Sequence, residues 1–120
     1  MPRQTHFNHH KLDCYRVALD MLRDAHVVTK RVPRGYRSFA DQLLRAAGET
    51  VALIGEGANR FTKGQKRQRF TEARGEAGEV AVHVEALRVM ELISELDAHR
   101  LLGQADRVCA MLTRLIHINS

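Results

Sequence analysis

The chain contains no tryptophan, two prolines, two cysteines and only three serines, and its aromatic residues make up 5% of the total. So few aromatic residues argue against an all-β sandwich or barrel. Two cysteines, Cys14 and Cys109, are too few for a disulfide scaffold in a chain of this size. They read as small apolar fillers in a reducing compartment, which places the protein in the cytoplasm. Residues 1–10 are polar, carry three histidines and form no signal-peptide core. No apolar run approaches the roughly 20 residues that a membrane span needs. The serines, Ser38, Ser94 and Ser120, stand in no nucleophile context, and no glycine-rich loop follows a strand. Hydrolysis and nucleotide binding therefore have nothing to rest on.

What is present is one domain's worth of chain, residues 1–120, with residues 1–9 expected to be flexible. Hydrophobic residues make up 44% and charged residues 28%, so a core can form. Lysine and arginine total 19 against 14 acidic residues, a net charge of +5.

Four segments carry apolar residues at alternating spacings of three and four, the mark of one buried helix face. The first runs through Leu12, Tyr15, Leu19, Leu22 and His26, widened by Cys14, Ala18, Met21 and Ala25. The second runs through Phe39, Leu43, Ala46, Thr50, Leu53 and Gly57, with Ser38 as its candidate N-cap. The third runs through Phe70, Ala73, Ala77, Val80, Val84 and Leu87, then shifts to Met90, Ile93 and Leu96. The fourth runs through Leu101, Ala105, Val108, Leu112 and Leu115. Breaks fall at Val32–Gly35, at Gly57–Gly64 and around Asp97–Gly103. The pattern predicts an all-α fold, an antiparallel up-down four-helix bundle that self-associates. Its third helix, residues 64–97, should be longest and outrun its neighbours. Glycine and alanine crowd the second and third helices, and glycine inside a helix costs about 1 kcal/mol relative to alanine. Close backbone approach, within the hairpin or between subunits, would offset that cost.

The charged residues give one candidate interface. Arg60, Phe61, Lys63, Lys66, Arg67 and Arg69 put five cations and one aromatic ring into a stretch with no acid. Such a patch attracts phosphates, and an exposed ring can stack on a base. A second basic group, Lys30, Arg31, Arg34 and Arg37, falls at the opposite end of an up-down bundle. Arg45 and Arg74 are placed to bridge Glu49, Glu72, Glu76 or Glu79 across the second and third helices. The Glu79/His83 and Glu95/His99 pairs have the wrong spacing for a di-metal carboxylate site. His6, His9 and His10 can share a face but read as a polar terminus. No metal and no cofactor is expected.

Two motifs add to this reading. Gln42, Leu43, Arg45, Ala46 and Ala47 are followed by Ile54, Glu56 and Gly57. Arg69, Phe70, Ala73, Arg74 and Gly75 are followed by Glu79. Together they resemble the bacterial four-helix-bundle family of proteins encoded in 23S ribosomal RNA intervening sequences. A related branch holds the accessory variability determinants of diversity-generating retroelements. The resemblance spans about residues 10–118. The chain departs from the family's pattern at Glu49, Val51 and Leu53, where a serine and an asparagine are usual, and at Gly55, where alanine is usual. The resemblance implies a homo-oligomer, pentameric in the family's known form, and no established enzymatic activity. In the retroelement branch it implies a scaffold for nucleic acid and a reverse transcriptase. The expectation is a non-enzymatic oligomeric scaffold that contacts RNA or DNA. The alternative is a purely structural or protein-interaction assembly.

Overall fold

A computed structural model describes residues 7–120. A single 3-10 turn, Asn8–Lys11, precedes α1, Asp13–Lys30. A second 3-10 turn, Arg34–Tyr36, leads into α2, Arg37–Ala58, and then come α3, Lys63–Val89, and α4, Glu95–Ile118. No strand occurs among the described residues. Among them, too, no helix is long and apolar enough to cross a membrane. Each helix packs on its sequence neighbours, and α1 against α4 closes the square, the antiparallel arrangement expected of short connections.

The core has two layers. Toward the α1–α2 and α3–α4 connections, Met21, Val28, Leu43, Val80, Val84, Leu87 and Leu101 interlock. Toward the chain termini, Cys14, Val17, Ile54, Phe70, Val108 and Leu112 do the same. Thr50 is fully buried, and its Oγ1 donates to the Ala46 carbonyl at 2.8 Å, so its hydroxyl is satisfied within the helix.

The third helix is shorter than its sequence pattern suggests, and the break lies at 90–94 rather than 97–103. Glu91 adopts a left-handed conformation, φ 59°. The Leu92 amide reaches back to the Leu87 carbonyl and the Glu91 amide to that of Arg88, both at 2.9 Å. This is a Schellman stop. Ser94 then starts α4, its Oγ accepting from the Asp97 amide at 3.1 Å. The shift of stripe after Leu87 marks this stop: Met90 and Ile93 fold back onto the core, while Leu96 is exposed. The 27 residues of α3 span about 40 Å at 1.5 Å each, close to the molecule's 43 Å longest dimension.

Three further expectations change. The buried face of α1 is Cys14, Val17, Ala18, Met21, Ala25 and Val28, with Leu19 and His26 outside it. Ser38 does not cap α2; the cap lies two residues earlier, at Tyr36, whose side chain makes no capping hydrogen bond among the described residues. Small residues pay for close contact at one glycine alone. A Cβ on Gly57 would lie 2.7 Å from the Phe70 ring, whereas at Gly48, Gly75 and Gly78 it would meet nothing within 4 Å.

Candidate nucleic-acid interface

The α2–α3 connection sits beside the end of α4. Thr62 caps α3: its Oγ1 accepts from the Gln65 amide at 3.1 Å, and Gln65 Oε1 accepts from the Thr62 amide at 3.4 Å. This reciprocal pair holds the loop tight and leaves Phe61 96% exposed at its tip.

The five cations divide by what they touch. Lys66 Nζ donates to the Ala58 carbonyl at 2.9 Å and the Gly57 carbonyl at 3.5 Å. Arg67 Nη1 reaches the Asn119 carbonyl at 3.4 Å. Both therefore serve the negative C-terminal ends of α2 and α4, which lie alongside the start of α3. The like-signed start of α3 alone would disfavour them, and these carbonyls supply the compensation. Arg69 pairs with Glu72 at 2.7 Å, and the pair holds the Arg69 guanidinium above its usual range. Arg60 meets Glu56 only loosely, at 3.9 Å. Lys63 has no acidic or hydrogen-bonding partner among the described residues, and it is exposed. Sequence spacing groups these side chains correctly at one end of the bundle. It does not separate the two that act as helix caps from the cations left for solvent.

The motif residues separate in a similar way. Gly57 and Phe70 form the close contact between α2 and α3. Gln42, Arg45, Glu56, Gly75 and Glu79 are exposed. Arg45 forms no ion pair among the described residues; it lies near enough to Glu76 to act on its charge. Burial first, and then the neighbouring Glu79, hold the Glu76 carboxyl above the usual carboxylate range. Arg74 Nε donates to Thr113 Oγ1 on α4 at 2.8 Å, not to a carboxylate on α2. The bridge expected across the α2–α3 hairpin is thus replaced by a hydrogen bond across α3–α4, because the hairpin's contact seam is apolar.

The second basic group stands at the far end, as expected. Arg31 Nη1 bonds Asp97 at 3.1 Å and Arg37 Nη1 donates to the Thr29 carbonyl at 3.0 Å. Both tie α1 to its neighbours.

One feature carries no sequence signature. The N-terminal turn folds over the last turns of α2 and leaves an open groove of about 470 Å³ between them and α1. Asn59 Nδ2 donates to the Gly55 carbonyl at 2.9 Å and lies 2.8 Å from His9 Nδ1. The carbonyl fixes which end of the amide is nitrogen, so in this contact the Asn59 amide donates and His9 Nδ1 accepts. Desolvation and the adjacent His10 both push His9 below the ordinary 6.5. His9 also stacks on Phe7 and lies 4.6 Å from the Tyr15 ring. His9 thus contacts both α1 and the end of α2, while His6 lies outside the described residues.

No curated protein matches the chain. Among solved structures it is similar to a Bacteroides thetaiotaomicron protein of unknown function from the S23 ribosomal protein family, determined at 1.70 Å. The two share 17% identity over 87% of this chain and 95% of the other, with a TM-score of 0.80, a likeness of fold. The family model of the 23S rRNA-intervening sequence proteins matches residues 10–114, and the chain belongs to that family.

Proposed function

We propose that the protein is a non-enzymatic homo-oligomeric scaffold, pentameric, that binds RNA or DNA through the end of the bundle carrying residues 60–69. The observation that carries this reading is the α2–α3 loop. It presents a nearly fully exposed Phe61 between Arg60, whose acidic neighbour is 3.9 Å away, and Lys63, which is exposed and has no partner among the described residues. An aromatic ring flanked by cations is the arrangement that holds single strands by stacking and phosphate contact. An oligomer would repeat it on every subunit and raise the effective concentration of the sites. A reverse transcriptase is the protein partner to seek first.

The test is binding of a labelled structured RNA across a salt series, with the protein's mass followed by light scattering. Affinity should fall steeply with salt, and the slope should shrink by about one per phosphate contact removed. Lys63→Glu and Phe61→Ala are the informative variants, since neither side chain caps a helix. Lys66→Glu would confound binding with the loss of a helix-end contact. Absence of binding at low salt by an intact oligomer would favour the purely structural assembly.

A further inference from the structure

We propose that the groove beside the basic loop receives an unpaired guanine base, making the interface selective for single strands that carry guanine. This rests on the nucleic-acid reading above and names the ligand its uncharged portion would take.

The groove adjoins that loop directly, because Arg60 belongs to both. At about 470 Å³ it lies within the roughly 300–1,000 Å³ of small-ligand sites. Its floor is low where Gly55 lacks a side chain: a Cβ there would meet nothing within 4 Å. His9 and Tyr15 supply aromatic surface at one wall, their rings 4.6 Å apart. A flat heteroaromatic ring suits such a space, since every base offers a π-face to an aromatic wall.

The polar groups favour one base. Asn59 spends both amide protons, on Gly55 and His9, so its remaining polar atom, Oδ1, is an acceptor. Glu56 is also an acceptor when ionised, and its pair with Arg60 lies beyond hydrogen-bond distance. The lining thus offers two acceptors beside the donors of Arg60, the Tyr15 hydroxyl and His9 Nε2, a set that can meet two adjacent donors and a neighbouring carbonyl oxygen on one base edge. Guanine presents two adjacent donors, N1–H and the N2 amine, on its Watson–Crick edge. Adenine and cytosine each pair one donor with an acceptor there, and uracil has a single donor between two acceptors. Arg60 is then placed for the phosphate of the same nucleotide.

The experiment measures binding of labelled uridine octamers with one central guanine, adenine or inosine, with DNA versions alongside to separate the two sources of the base. Wild-type protein should bind the guanine strand about tenfold more tightly than the adenine strand. Inosine, lacking the N2 amine, should fall between them. Gly55→Leu fills the groove with a better helix former and should erase the preference; its helix content and melting temperature confirm the fold. Equal affinity of wild-type protein for all strands overturns the groove and leaves the basic interface standing. A guanine preference that survives in Gly55→Leu also overturns it. No binding of any strand at low salt overturns both readings.

Discussion

A Cβ added at Gly57 would sit 2.7 Å from Phe70 Cε1 and 3.2 Å from Arg69 Cβ. Phe70 is 2% exposed, so its ring has little space to yield. Gly57→Ala should therefore cost about 1–3 kcal/mol despite alanine's better helix propensity, read as a lower denaturant midpoint. The same change at Gly75, which faces open space, should stabilise by up to about 1 kcal/mol. Both glycines belong to the sequence motifs, yet only one is needed for packing in the monomer. The cysteines differ on similar grounds. Burial pushes the Cys14 thiol up to about 12, so it stays protonated at neutral pH. Cys109 is half-buried; desolvation raises it too, but Arg74 opposes the rise. Since the thiolate is the reactive species, iodoacetamide at pH 8 should label Cys109 first and Cys14 only on unfolding. Peptide mass spectrometry of the native and urea-treated protein distinguishes the two.

At the scale of elements, helix type and number were legible and the ends were not. The stripe from Phe70 to Leu87 is buried throughout, because α3 packs on both α2 and α4. On α1 the two alternating sets of apolar residues were nearly equivalent, and neighbouring helices selected the one that includes Cys14 and Met21. Periodicity cannot make that choice, since it records a face's existence and not what lies opposite. The stop after Val89 was hidden for another reason: a glutamate occupies the left-handed position where glycine would announce a Schellman turn. That conformation costs a non-glycine residue roughly 1–2 kcal/mol. Glu91→Gly should recover about 1 kcal/mol and raise the melting temperature by a few degrees. No change in melting temperature would mean that the Glu91 side chain contributes as much as the backbone strain removes.

For the whole molecule, the basic end was readable as a cluster because five cations fall within ten residues, whereas its division of labour was not. Lys66 and Arg67 find helix ends that come together only when the bundle closes. The groove depends on the N-terminal turn lying across α2, a contact some fifty positions apart in the chain. What the fold leaves uncovered bears on assembly. Gly75, Glu79, Val82, Ala86 and Val89 recur at helical spacing along α3. Val82 is 61% and Val89 81% exposed. If the self-association proposed above uses this row, Val82→Glu with Val89→Glu should break it without touching the core. Light scattering should then fall from a mass near five times 13.6 kDa toward a single chain, with the helical circular dichroism unchanged. The dissociated variant should also bind RNA more weakly than its unaltered basic loop requires, because the gain from repeated sites would be lost. An unchanged mass would move the subunit contact to another face, leaving the loop at residues 60–63 to be tested on its own.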